Sequence, residues 1–381
     1  MNVPKVCYNW KEFIDHQFYE LPKGQKWIKQ KLISNFLKED YMPSEERLIF
    51  SNTIIAIEAD DDNLCVLTST SNSNVFLSYF DITALDTPIW SLNINDLNIK
   101  SSDNNSAKLE ILLNKQRVFV YTLRNPDLHV VYIIDRSQGE LLCEIEPRTD
   151  FHLVGVRQFE NRILAIASYE ILELYAIDDI QNIHVIFKYY TYDIFQQRHD
   201  IYDVVGIMSD GDKLVSRIST PGNEYDQFTA YDFNTGKKLH TIQNIGSNII
   251  SMEVHWPLVL ITTVHFDGSK INKNLKIFNM EHETVIKCIE FPDMCIKGIV
   301  SGIVVFENDR ESVLKFWSLE EIINNSIPLK DMETRKLRLP NVLNEGLSNC
   351  GRFAISPSCV FSSACNEEFD NVILVKNCFW P

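Results

Sequence analysis

The chain has 381 residues and a formal charge of −16, with a pI near 5.0. Phosphate backbones are bound by basic faces, so no nucleic acid is expected as a partner. No run approaches the roughly eighteen apolar residues of a membrane-spanning helix, and residues 1–7 lack the apolar core of a secretory signal, so no membrane partner is expected either.

The charge is unevenly spread. Residues 1–50 carry eight Lys and Arg against seven Asp and Glu, while the remainder carries 28 against 45. The acidic surface therefore belongs to the later part of the chain. The nine cysteines are odd in number and irregular in spacing, and none form a CxxC pair. That argues for free thiols in a reducing, cytoplasmic or nuclear setting, with no metal site.

Residues 1–45 read as helical. Val3, Val6, Cys7, Trp10, Phe13 and Ile14 recur at three and four residues, the period of a helix with one apolar stripe. Leu21-Pro22-Lys23-Gly24 ends that pattern. A second helix is expected from about Gln25 to Lys38, with Trp27, Leu32 and Phe36 on its apolar side and Lys26, Lys29, Lys31 and Lys38 on its wet side. Tyr41–Glu45 reads as a hinge.

From about Glu46 the period changes to two. Short runs of β-branched and aromatic residues alternate with turn residues. One phrase recurs, an apolar residue followed by Asp or Asn, a tight turn, and a new apolar run. It is plainest at Ile134–Ile145 and Tyr231–Ile242, and returns without its glycine at Phe278–Ile289. Its anchors at 81, 135, 178, 232, 279, 318 and 377 lie roughly 40 to 60 residues apart, the spacing of propeller blades.

The expected fold is thus all-β, a seven-bladed β-propeller over residues 46–381 preceded by a short N-terminal helical segment over residues 1–45. In the sixth unit the outer strand is expected near Ile327–Leu329. The seventh unit ends before a fourth strand, and Arg47–Phe50 is expected to supply it by pairing with the blade that contains 371–378, since an unpaired edge is otherwise exposed. Longer joins are expected at 93–106, 190–200, 265–274, 308–311 and 331–349, where a propeller places recognition.

Candidate chemistry is sparse. Asp60-Asp61-Asp62 lies between two predicted strands and reads as a solvated turn. His199-Asp200 follows the aromatic run Tyr189–Tyr192, but no nucleophile is placed with it. The 13 glycines form no phosphate-binding loop. No catalytic residue and no cofactor is expected, and the chain reads as a non-enzyme.

Two resemblances add to this reading. Tyr231-Asp232 with Thr235-Gly236, and Ile134-Asp135 with Gly139, resemble the third-strand, turn and fourth-strand part of WD-repeat blades, although no unit carries that family's Gly-His dipeptide. Val3–Asp15, with Val6-Cys7 and Trp10, resembles the second half of an F-box, and Trp27-Ile28-Lys29 is similar to an element that often follows it. The first half of that motif is absent from the sequence. The F-box resemblance implies docking to the F-box-binding adaptor and cullin of an SCF complex through Val3, Val6, Cys7, Trp10 and Phe13. The propeller would then hold an unknown substrate protein as the receptor of a ubiquitin ligase. The alternatives are a propeller scaffold with no ubiquitin link, and a propeller enzyme with a site in the central channel.

Overall fold

The computed structural model describes the chain from Ser44 to Cys378, less residues 98–107, 124–129, 148–152, 191–202, 220–225, 325–334, 339–346 and 367–371 and breaks of four residues or fewer elsewhere. Among the described residues, twenty-eight strands form four-stranded antiparallel sheets. Blades 1 to 6 occupy residues 53–93, 108–145, 153–190, 203–242, 249–290 and 294–338. In each of these, four consecutive strands lie side by side in chain order. The first strands of neighbouring blades touch one another, so the first strand is the inner one.

The expected fold needs two corrections. Six blades, not seven, are built from consecutive strands. The remaining sheet is assembled from both ends of the described chain, with Leu347–Ile355, Cys359–Asn366 and Val372–Cys378 completed by Ser44–Phe50. Arg47 faces Val375 and Phe50 faces Val372, which is the closing pair expected for that edge. The second correction concerns the N-terminal helical segment. Residues 1–43 lie outside the described residues, and Ser44 and Glu45, placed at the end of that segment, begin the closing strand instead. Ser44-Glu45-Glu46-Arg47 is too polar to show a strand pattern. The α-helix among the described residues is the single turn-and-a-half Leu319–Asn324.

Two further differences have local causes. The sixth outer strand is Arg335–Arg338, not the run near Ile327–Leu329, which lies outside the described residues. Its Arg-Lys-Leu-Arg sequence offers one apolar residue, so hydrophobicity did not mark it. The join expected at 265–274 is a hairpin instead: Leu258–Asp267 and Lys270–Asn279 stay paired to the Asp267–Lys270 rung.

The core lies between sheets. Each of six apolar clusters joins one blade to the next, and one joins blade 1 to Ala354 and Phe361 of the closing sheet. Second and third strands are covered on both faces, so they read as unbroken apolar runs, as in Ile163–Ser168, which is buried throughout. Each fully buried Leu, Ile or Phe there contributes about 1.5–3 kcal/mol.

The recurring phrase forms the turn between third and outer strand. Asp135 Oδ1 accepts from the amides of Ser137 and Gln138 at 2.8 and 2.9 Å, and Asp232 Oδ1 accepts from Thr235 at 2.9 Å. The sixth residue of the phrase is left-handed in all three copies: Gly139 at φ 74°, Gly236 at φ 67° and Glu283 at φ 52°. That residue also receives the outer strand of the preceding blade. Trp90 lies against Gly139, Phe187 against Gly236, and His240 comes within 3.7 Å of Glu283. In each pairing the arriving residue sits opposite the third-strand position two before that strand's end. At the next join, the residue in this place is Lys287, which donates to the last helix carbonyls, Ile322 O at 2.6 Å and Ile323 O at 3.2 Å. The phrase is therefore a buckle between blades.

Candidate functional site

Turns from inner to second strand and from third to outer strand fall at one end of every blade, because the four strands run antiparallel in order. At that end blades 1 to 3 surround a mouth of about 1150 Å³. Asp60, Tyr79, Ile89, Asn114, Arg136 and Gln158 are among its lining residues.

Arg136 holds the mouth together. It starts on the turn of blade 2 and reaches into blade 1. Its Nε donates to the Tyr79 hydroxyl and its Nη1 to the Asn114 carbonyl; Nη2 donates to Asn63 Oδ1 at 2.5 Å. Asp60 Oδ2 lies 2.5 Å from Nη1. Burial acts to lower the Arg136 pKa, but the bonds to Tyr79 and Asp60 outweigh it and hold the guanidinium above its ordinary value. The guanidinium also lies over the Tyr79 ring at 5.4 Å, Tyr79 stacks on Trp90 at 5.2 Å, and Trp90 Nε1 donates back to the Arg136 carbonyl at 2.7 Å. Asn114 carries the network onward to blade 3, donating to Gln158 Oε1 at 2.6 Å.

Of the Asp60-Asp61-Asp62 stretch, Asp60 and Asp62 are described, and they lie here between the first two strands of blade 1. Asp60 Oδ1 accepts from the amides of Asp62 and Asn63 at 3.1 and 2.9 Å. Glu160 takes a left-handed φ of 50° on the matching turn of blade 3 and pairs with Arg162 at 2.9 Å. Ile89 is 54 % exposed at the rim, and Lys115 and Gln116 are exposed beside it. A wall whose polar groups bind each other, with an exposed aliphatic side chain and an exposed cation at the edge, is suited to holding another protein's side chains.

A second constellation lies on the inner strands. Glu58 of blade 1, Glu110 of blade 2, Arg157 of blade 3 and Glu253 of blade 5 are each half-buried. Burial pushes Glu58 up to about 7, with Arg157 pulling it down and Glu110 and Asp60 pushing it further up. Burial likewise pushes Glu253 up to about 7 against the pull of Arg157. These carboxyls keep some exposed surface yet lie deep in the molecule, which is how a side chain near the propeller axis is placed. Arg157 donates to the Val156 carbonyl at 2.7 Å and contacts Met208 Sδ at 2.8 Å, and Tyr121 bonds to it. One guanidinium thus acts on two of these carboxyls, Glu58 and Glu253.

Sequence reasoning missed both groups. The signal for the second was an acid at a mid-strand position, in Ile57-Glu58 and Met252-Glu253-Val254. Arg136 gave no signal, because its partners lie far along the chain. Val3, Val6, Cys7, Trp10 and Phe13, and likewise His199 and Asp200, lie outside the described residues. Among the described residues no group of His, Cys, Asp and Glu is arranged to hold a metal ion, and no helix is long and apolar enough to cross a membrane. Cys65, Cys143, Cys288 and Cys295 are free thiols.

No family model matches the chain, and no curated protein matches it. Solved structures do. The Pan2 WD40 domain of Neurospora crassa superposes with a TM-score of 0.57 at 11 % identity, over 89 % of this chain and 97 % of that one. The Cps50 (Swd1) β-propeller domain of Myceliophteria thermophila gives 0.56 at 11 %, over 88 % and 99 %. Hydrazine synthase of Kuenenia stuttgartiensis gives 0.57 at 13 %, over 85 % and 95 %. The fold is that of a WD40-type β-propeller, and it is compatible with a protein-interaction scaffold. One similar structure is an enzyme, so the fold alone does not decide the class of activity.

Proposed function

We propose that this propeller is a protein-interaction scaffold that holds a partner at the mouth over blades 1 to 3. The observation that carries the reading is the mouth itself. Its charged side chains are spent on one another, Arg136 with Asp60 and Arg162 with Glu160, while Ile89 and Lys115 stand exposed at its edge. Such a surface offers contact area and positioning without groups aimed at a reacting atom.

The finer proposal is that the chain is the substrate receptor of an SCF-type ubiquitin ligase. Its support is the F-box-like pattern at Val3, Val6, Cys7, Trp10 and Phe13 ahead of a propeller. The propeller would hold the target near the conjugating enzyme, and the chemistry would be done by other subunits. The test is co-elution of the full chain, with any residues encoded upstream of Met1, with purified adaptor and cullin. Association that is lost in Trp10→Ala supports the receptor role. Absence of association from the full chain removes that role and leaves the scaffold reading standing.

A second reading, a channel enzyme, draws on Glu58 and Glu253, whose carboxyls burial holds near neutrality beside Arg157. The scaffold reading is preferred, because Cys65, the thiol opposite Glu58, is fully buried and burial pushes its pKa up, so it is poorly placed to act as a nucleophile.

A further inference from the structure

The free thiols differ in what stands beside them. Cys65 is fully buried, and burial pushes its pKa up, as it does for the half-buried Cys143. Cys288 is exposed and faces Lys276 across the blade 5 ladder, but the Lys276 ammonium donates to the Ile245 carbonyl at 3.4 Å. Cys295 is the described thiol that receives an ammonium: Lys273 Nζ donates to its Sγ at 3.1 Å. The two residues belong to different blades.

Strand register explains why they meet. In blade 5 the second and third strands continue past the end of the inner strand, whose first rung is Ile249–Thr263. Lys273, opposite Val264, sits in the first rung of that two-stranded overhang. Leu275 and Ile277 on the same strand pack into the cluster shared with blade 6, so the alternation of a strand aims Lys273 toward blade 6 as well. Cys295 is the second residue of the blade 6 inner strand, opposite Glu307. The Glu307 carboxylate is held by Lys297 at 2.5 Å. Lys273 and Cys295 are both half-buried, so a small oxidant reaches them. They lie at the end of the propeller away from the mouth, because the second-to-third turns fall there.

We propose that Lys273 and Cys295 form an oxidative cross-linking site, closed by hydrogen peroxide and opened by thiols, which staples blade 5 to blade 6. An ammonium donating to sulfur favours the thiolate, the form that peroxide oxidises. The Cys295 thiolate attacks the peroxide and the O–O bond breaks. One oxygen stays on sulfur as a sulfenic acid. The other leaves as hydroxide and becomes water by taking a proton from the Lys273 ammonium. The neutral amine then attacks sulfur, the S–O bond breaks, and the departing hydroxide takes a proton from nitrogen as a second water. An S–N bond remains, the side-chain counterpart of the link that sulfenic acids make with backbone nitrogen. Sulfur has lost two electrons, and the peroxide has been reduced to two waters. The site is independent of any partner at the mouth.

The test is brief treatment of the intact chain with hydrogen peroxide, followed by peptide mapping by mass spectrometry and by thermal unfolding. The expected product joins the Lys273 and Cys295 peptides, is lighter than their sum by two hydrogens, and separates again in dithiothreitol. A cross-link between neighbouring blades limits the unfolded chain, so Tm should rise by a few degrees after peroxide and fall back on reduction. Lys273→Arg keeps the positive charge but supplies no amine. It should give neither the joined peptide nor the rise in Tm, and Cys295→Ser should behave the same way. Cys295 oxidised to sulfinic or sulfonic acid beside an unmodified Lys273 overturns the proposal. So does Cys295 left untouched while the exposed Cys288 is oxidised, or joined to another cysteine. A joined pair that retains the peroxide oxygen overturns the S–N bond, and a joined pair with unchanged Tm overturns the staple.

Discussion

Replacing Glu253 with Gln should stabilise the protein at pH 8 and leave it nearly unchanged at pH 5. In the folded chain burial pushes the Glu253 carboxyl from its ordinary 4.5 up to about 7. The unfolded chain therefore releases this proton first as pH rises. Stability is lost between about pH 4.5 and 7 and stays lost above that window. The gap converts, at about 1.4 kcal/mol per pH unit, to roughly 3.5 kcal/mol. Glu253 is half-buried, so solvent screening reduces this to about 1–2 kcal/mol. Glutamine is close in shape to the protonated acid and does not ionise, so the variant escapes the penalty. The assay is thermal unfolding of both proteins at pH 5, 6, 7 and 8. The expected gain grows from about pH 5, is nearly complete at pH 7 and amounts to a few degrees in Tm. If the variant is instead less stable at pH 8, attraction to Arg157 outweighs burial and the reasoning is wrong. A difference that does not change with pH refutes it equally.

The buckle between blades gives two opposite expectations. Gly139→Ala should destabilise by about 2–4 kcal/mol in urea unfolding: its φ of 74° disfavours a side chain, and an added Cβ would meet the Trp90 ring at 2.6 Å. Glu283→Gly relieves the same backbone conformation, gives up an exposed contact with His240, and should stabilise by about 0.5 kcal/mol in the same assay. Arg136→Met leaves Asp60, Tyr79 and the Asn114 carbonyl without their donor and should cost about 3 kcal/mol by chemical denaturation.

Much of the propeller is legible because turn chemistry is local. Asp135 and Asp232 cap their own turns, and Gly139 and Gly236 fill the left-handed place that follows, so sequence spacing alone marks them. Glu283 shows the limit of that signal. The turn keeps its shape with a strained residue in glycine's position, and the strain is invisible in the sequence. The strand Ser44–Phe50 is half legible. Its apolar end, Leu48-Ile49-Phe50, suggests a strand, while its polar start resembles the end of the segment before it. The mouth is not legible at all. Arg136 meets Tyr79 and Asn63 across 57 and 73 positions, and no local pattern records a pairing made by closing a ring. The carboxylates of the inner strands look like the wet side of ordinary strands until the ring brings them around Arg157.

The role of the mouth as a docking surface is tested most directly by quantitative partner capture. The tagged full chain is compared with an Ile89→Asp, Lys115→Glu double variant of matched Tm in cells that make the protein. Ile89 and Lys115 lie at the rim outside the Arg136 network, so the fold should survive. Placing a charge at an apolar contact and reversing a neighbouring rim charge together weaken a protein interface about tenfold. At least one protein held by the wild type should therefore fall by about that factor in the variant. Equal recovery of the same partners by both proteins would contradict docking at the mouth.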